Sequence, residues 1–374
     1  MIILGRYGDM FTQSLFEQMR TYKEKVSYYP YSYRLFANDE LLSRFSDPPY
    51  SAITARGSIE SDADIRFSPG SKKLRDSIKN DSNVVLVVRG ASGTKWKPVH
   101  EIFNTYFSSK YLKKEMKAVH VTAVLPNMPF GKQDHLFYDE EELIDGAPIT
   151  LKYARELLKE YADLLISFNP HDYRDKTGWI VKNENTITGA KKDEQGRILD
   201  SKGRVYLPEP EDWTGFAYAI DAMPLLAKYV IDLLHNPLLI GPDRSVENAV
   251  KKFSDKVLVA DKIRDKHERL NVDSKISLYD DMRVYDAILF DDTIQAGTTM
   301  NNIVQELRLH EKPPRSITCA SVHGEFVYNR KLEKSAYDIL VGSGARIIVT
   351  DTIETPVSKV SVVPLLAEEL NKLV

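Results

Sequence analysis

Short, unbroken apolar runs recur along this sequence, most of them followed by a polar loop and a stretch with helical spacing. They include NVVLVV (83–88), AVHVTAVLP (118–126), ADLLISFNPH (162–171), PLLIGPD (237–243), KVLVADK (256–262), SITCASVHG (316–324) and ARIIVTDT (345–352). A run without polar alternation suits a strand covered on both faces, and strands alternating with helices imply parallel sheets. Helices are expected near 10–23, 99–113, 151–161, 221–234, 246–253, 299–310, 331–340 and 365–373, with a last strand at 360–364. At about 150 residues per domain, 374 residues make two domains. No repeat at the level of residues relates the two sets of strands.

The richest stretch is YDAILFDDTIQAGTT (285–299). It reads as a buried strand, Ala287–Phe290, delivering Asp291 and Asp292 to its carboxyl tip, with Gly297, Thr298 and Thr299 opening the next helix. Ligands of open α/β sheets collect outside the carboxyl ends of strands, and the N–H groups at a helix start attract phosphate. A plain βα turn with an acidic cap would need one Asp. Two adjacent acids repel unless a cation or sugar hydroxyls engage them.

Other strand ends carry charged or metal-competent groups too: His171 after SFNP, Asp243 after LLIGP, and Lys262 and Arg264 after LVAD. Each alone is an ordinary solvated loop residue. Together they compose a site, with carboxylates and an imidazole for a divalent cation and two cations for polyphosphate.

A formal net charge of −3 leaves no basic field for a nucleic-acid partner. The lone cysteine, Cys319, permits no intrachain disulfide, fits a reducing compartment, and lies in an apolar run as an inert thiol would. No apolar stretch is long enough to span a bilayer, and the first residues lack a signal-peptide pattern, so no membrane partner and a cytoplasmic location are expected. Residues 1–60, rich in Tyr, Ser and charge, are the least legible. Between 172 and 214, WIVKNENTIT and GRILDSKGRVYL each look like a β-hairpin, forming an insertion or flap.

Several motifs in order resemble the ribose-phosphate pyrophosphokinases, also called phosphoribosyl pyrophosphate synthetases. VTAVLPNMPFGKQD is similar to that family's strand, proline-aromatic turn and Arg-Gln-Asp. PITLKYARELLKEYADLLISFNPH, PLLIGPD, VADKIR, ILFDDTIQAGTT, SVHGEF and IIVTDTIETP continue the match across 83–171 and 215–374. The resemblance implies an α/β fold of two phosphoribosyltransferase-type, Rossmann-like domains with mostly parallel sheets, plus the hairpin insertion. The first would span 1–171, completed by 356–374, and the second 215–355, with 172–214 between them. It implies transfer of the β,γ-diphosphoryl group of ATP, with Mg²⁺, to the anomeric hydroxyl of ribose 5-phosphate, giving phosphoribosyl pyrophosphate and AMP. Family members are commonly homo-oligomers, dimers assembled into hexamers.

By the same resemblance, Phe67, Lys132, Gln133, Asp134 and His171 would bind ATP, with His171 and Asp243 at the metal. Lys262 and Arg264 would be catalytic, on a loop whose continuation, Asp265–Ser277, has the polarity of a mobile lid. Asp243, Asp291, Asp292 and Gln295, Ala296, Gly297, Thr298 and Thr299 would hold ribose and its phosphate.

The chain departs from the family pattern at Gln295, where an acid is usual, at Ala296, at the bulkier turn Asp243-Arg244-Ser245-Val246, at Lys132, and at Pro69 and Ser71 beside Phe67 and Gly70. The altered loop at Gln295 and Ala296, the bulkier turn at Arg244 and the 172–214 flap motivate a second reading in which the acceptor is a larger ribose 5-phosphate ester such as ADP-ribose, serving NAD⁺ resynthesis. A phosphoribosyltransferase would not need the KIR or KQD segments. A non-catalytic regulatory homologue would not need Lys262, Arg264, His171 and the Asp pair.

Overall fold

The computed structural model describes residues 1–6, 8–35, 41–45, 74–78, 83–90, 98–131, 136–139, 142–143, 150–171, 177–180, 187–188, 213–241, 251–254, 256–259, 261–264, 272–275, 279–329 and 332–374. The chain divides into two compact units. One comprises Met1–Val88, Lys97–Ile220 and Leu366–Val374, the other Arg89–Trp96 and Asp221–Leu365.

The first unit is built on an eight-stranded sheet. In chain order its strands are β1 (Ile2–Arg6), β2 (Ser27–Leu35), β3 (Leu41–Phe45), β4 (Asn83–Val87), β5 (His120–Val124), β8 (Leu164–Phe168), β9 (Gly178–Trp179) and β11 (Ala217–Ile220). Their spatial order is β3-β2-β1-β4-β5-β8-β11-β9. The six strands from β2 to β11 pair in parallel, and only the edge strands β3 and β9 are antiparallel. The central strands are as apolar as their runs require: every residue of β8 is buried. The helices α1 (Met10–Tyr22), α2 (Pro98–Lys114) and α3 (Thr150–Lys159) cover this sheet. In α3 the buried residues are Leu151, Ala154, Arg155 and Leu158, the i, i+3, i+4, i+7 stripe of a helix lying on a sheet.

Residues 1–60 contribute more order than their composition suggested. IIL opens a central strand, β1, and the Tyr-rich β2 extends the sheet. AYAI, not among the strands expected from the sequence, forms β11. In the insertion, WIVKNENTIT was expected to pair with itself. Its ends pair elsewhere: β9 with β11, antiparallel, and β10 (Ile187–Thr188) with β6 (Leu136–Asp139), parallel, while β7 (Glu142–Leu143) flanks β6. The second expected hairpin, GRILDSKGRVYL, lies outside the described residues.

The second unit holds a six-stranded, wholly parallel sheet. Its strands are β12 (Pro237–Gly241), β13 (Val257–Val259), β16 (Asp286–Ile294), β17 (Ser316–Gly324), β20 (Arg346–Thr350) and β21 (Ser358–Val360), in the order β13-β12-β16-β17-β20-β21. Its helices are α4 (Met223–Ile231), α5 (Thr298–Leu309) and α6 (Ala336–Gly342). Two small ladders stand apart from the sheet: β14 (Asp261–Arg264) with β15 (Val272–Lys275), and β18 (Tyr328–Asn329) with β19 (Lys334–Ser335).

Helix α6 begins later than expected because Ser335 caps it, its Oγ accepting from the N–H of Asp338 at 3.1 Å, and Lys334 is in β19. The last strand is Ser358–Val360 rather than 360–364, and α7 (Val363–Leu373) follows at once. From Leu366 onward α7 belongs to the first unit, where the hydroxyl of Tyr218 on β11 donates to Glu369 Oε2 at 2.6 Å. The helix expected at 246–253 falls mostly outside the described residues. No described helix is long and apolar enough to cross a membrane.

Candidate active site

Strand order locates the crevice of the second unit. From β12 the chain steps to one side, to β13, and later returns to β12's other side with β16, so order reverses between β12 and β16. Such a switch point opens a crevice at the carboxyl ends of the two strands. β12 ends at Gly241, two residues before Asp243, which itself lies outside the described residues. β16 passes through Asp291 and Asp292.

The acids do not sit at the tip of a short strand as the apolar run suggested. β16 continues to Ile294, held by the longer β17, with Asp291 opposite Ser321 and Thr293 opposite His323. Pairing with β12 stops earlier, at Leu289 opposite Ile240. The acids therefore lie past the end of one neighbour and alongside the other. Successive strand residues point to opposite faces, and the two acids differ accordingly. Asp291 is half-buried and its Oδ1 accepts the N–H of Asp292 at 2.9 Å, while Asp292 is only 4% exposed.

The loop after β16 is clamped by the chain leaving β17. Ile294 O accepts from the N–H groups of Glu325 and Phe326, both at 3.1 Å, and Gln295 O from that of Val327 at 2.9 Å. The side-chain amide of Gln295 donates to Glu325 Oε2 at 2.9 Å. Gly297 then caps α5 with φ of 72°, its carbonyl accepting from Asn301 N at 2.8 Å. A Cβ on Gly297 would come within 3.0 Å of Ala336 Cβ. Only glycine combines that φ with so close a neighbour. Thr298 and Thr299 thus form the first turn of α5, anchored in the core by Met300, Ile303, Val304 and Leu307. Thr298 Oγ1 accepts from Asn329 Nδ2 at 3.4 Å.

Beneath the loop, the buried His323 meets Thr352 Oγ1 through Nδ1 at 2.9 Å, and the hydroxyls of Thr350 and Thr352 donate to Val322 O at 2.7 and 2.9 Å. This network ties the ends of β17 and β20 together. Next to it, burial pushes the Asp351 carboxyl above its ordinary range, against hydrogen bonds from Ser361 and the Val362 backbone. The sequence reading gave His323, Glu325 and Thr352 no role, although SVHGEF and IIVTDT were visible as strand ends.

Lys262 and Arg264 lie on β14, opposite Ser274 and Val272 of β15, and β15 packs on α5. Part of the stretch expected to be an irregular lid is thus a strand ladder beside the helix that opens at Gly297. Residues 265–271 lie outside the described set.

In the first unit, β5 and β8 end side by side. Phe168 N donates to Pro126 O at 3.1 Å, and the half-buried His171 follows. A Cβ built on Gly131 would lie 3.5 Å from His171 Cβ, so His171 abuts the turn leading into Lys132. Lys132, Gln133 and Asp134 lie outside the described residues, as does Phe67.

Among the described residues no three His, Cys, Asp or Glu side chains gather into a metal cage. Mg²⁺ is usually held by one or two carboxylates together with substrate phosphates. The oxygens of half-buried Asp291, at a sheet's carboxyl edge, fit that mode.

No family model matches the chain. It is 25% identical over 303 residues to the ribose-phosphate pyrophosphokinase of Sulfolobus acidocaldarius, covering 79% of this chain and 86% of that protein. It is 25% identical over 311 residues to that of Methanothermobacter thermautotrophicus, covering 82% and 90%. The solved phosphoribosylpyrophosphate synthetase from Mycobacterium smegmatis superposes with a TM-score of 0.60 at 20% identity, over 100% of this chain and 98% of that one, and so shares its fold. Over most of its length the chain is thus similar to ribose-phosphate pyrophosphokinases, and it shares the fold of a phosphoribosylpyrophosphate synthetase.

Proposed function

We propose that this protein transfers the β,γ-diphosphoryl group of ATP to the anomeric hydroxyl of ribose 5-phosphate, giving phosphoribosyl pyrophosphate and AMP. The observation that carries the reading is the placement of Asp291 and Asp292 beside a Gly297-capped helix start, at the switch point of a parallel sheet. The helix start suits the 5-phosphate, and the acids suit the ribose hydroxyls. In the reaction the hydroxyl oxygen bonds to Pβ and releases its proton. The bond from Pβ to the oxygen bridging it to Pα breaks, and AMP departs with that oxygen.

Such transfer needs alignment and charge neutralisation more than covalent help. Lys262 and Arg264, on the ladder beside α5, are assigned the charge developing on the transferred group. His171, with Lys132, Gln133, Asp134 and Phe67, is assigned to ATP. Mg²⁺ held by Asp291, Asp243 or His171 with the phosphates would supply further neutralisation. A homo-oligomer and a cytoplasmic location belong to the same proposal.

A second reading keeps the chemistry and enlarges the acceptor to ADP-ribose. It is favoured by the amide at Gln295, bonded to Glu325 where the phosphate loop begins. Incubation with ATP and each acceptor, following AMP by chromatography, tests both. Turnover of ribose 5-phosphate alone supports the first, turnover of ADP-ribose alone the second, and AMP from neither rejects the chemistry.

A further inference from the structure

Past Phe290, burial along β16 alternates with every residue. Asp292 and Ile294 are buried, whereas Asp291 and Thr293 are half-buried. Successive strand residues face opposite sides of a sheet, so Thr293 shares the face of Asp291. In register across the ladder, Ser321 and His323 of β17 stand beside Asp291 and Thr293 on that same face. Both are buried and engaged: Ser321 Oγ donates to His323 O at 3.1 Å, and His323 Nδ1 meets Thr352 Oγ1 at 2.9 Å. Among the described residues nothing hydrogen-bonds the hydroxyl of Thr293. A strand position is served as well by valine, so the hydroxyl is the part of Thr293 that packing leaves unused.

Thr293 stands one pleat repeat, about 6.6 Å, from Asp291 in the direction of the 295–299 loop. It lies between the carboxylate assigned to the ribose hydroxyls and the loop assigned to the phosphate. A hydroxyl both donates and accepts, which complements a sugar hydroxyl, and it brings no charge beside the acid or the phosphate.

We propose that Thr293 is a further acceptor-binding residue, its hydroxyl hydrogen-bonded to a hydroxyl of the ribose 5-phosphate unit. The inference rests on the diphosphokinase reading above and deepens it. It holds for either acceptor, because ADP-ribose contains the same unit. Thr293 takes no part in bond breaking, so its contact is equal in the ground and transition states and acts on KM rather than kcat.

The test compares Thr293→Val and Thr293→Ser with the wild type as full chains, with thermal unfolding checking that each variant folds. Valine keeps the shape and removes the hydroxyl; serine keeps the hydroxyl. Kd for ribose 5-phosphate and for ADP-ribose is read by calorimetry, and kcat and KM by AMP release. For the acceptor that the wild type binds, Thr293→Val is expected to raise Kd and KM roughly 3- to 10-fold with kcat and KM for ATP unchanged, and Thr293→Ser to stay within about two-fold of the wild type. An unchanged acceptor Kd in Thr293→Val, an equal loss in Thr293→Ser, or a matching rise in KM for ATP overturns the role of Thr293. Absence of AMP release from the wild type with both acceptors overturns the diphosphokinase reading instead, and the calorimetric ratio of variant to wild type still decides Thr293. Binding of neither acceptor by the wild type overturns both.

Discussion

The guanidinium of Arg315 forks onto the carboxylate of Asp286, Nε donating to Oδ1 at 3.0 Å and Nη2 to Oδ2. The pair ties the start of β16 to the residue before β17, and Ser316 Oγ and the backbone N–H groups of His235 and Asn236 complete the shell. It anchors the amino ends of the strands whose carboxyl ends carry the candidate site.

Asp286 is 4% exposed, and Arg315, followed by Ser316 and the backbone donors, holds its pKa well below the usual carboxylate range despite burial. Asp286→Asn is expected to lower unfolding free energy by about 2–3 kcal/mol at neutral pH. A depressed folded pKa stabilises above the unfolded value, and that stability is lost as pH falls below about 4 toward the folded pKa. Urea unfolding of wild type and variant at pH 7 and pH 3 checks this: the gap should narrow in acid.

Gly297→Ala places a side chain at φ of 72°, within 3.0 Å of Ala336 Cβ. A loss of about 1–3 kcal/mol of stability is expected, together with a raised KM for the acceptor. Denaturant midpoints and AMP-release kinetics measure the two effects separately.

Lys262→Ala should reduce kcat by about 100-fold or more while KM for ATP changes little, because a cation aimed at developing charge acts in the transition state. Unchanged AMP release would remove Lys262 from the catalytic group. A matched loss of stability is not expected, since β14 pairs only with β15 in a ladder apart from the main sheet.

Burial pushes the Cys319 thiol up to about 12, and on β17, paired between β16 and β20, its side chain is fully buried in the core of the second unit. The native protein should therefore resist a thiol-specific chromogenic reagent at pH 8 and react fully in guanidinium. Rapid native labelling would show that β17 opens readily.

Apolar runs such as LLISF and AILF announced buried parallel strands because a strand covered on both faces must be apolar at every position. FAYAI was as clear a run, yet it lay against a polar insertion and went unread. The end of β16 and the start of α6 differ from what the residue pattern suggests, the first for a tertiary reason and the second for a local one. β16 is prolonged by pairing with β17 past the end of β12, and Ser335 caps α6 in place of the residues before it.

The residue order by itself determined the βα rhythm, the acids at 291 and 292 and the glycine that starts α5, because backbone covering and φ > 0 place demands on residue type that show in one dimension. The switch point between β12 and β16, the entry of the N-terminal segment into the first sheet, and the meeting of Gln295 with Glu325 were decided only by the tertiary structure. Strand order and contacts across 30 residues arise from packing, and no local preference of the chain encodes them.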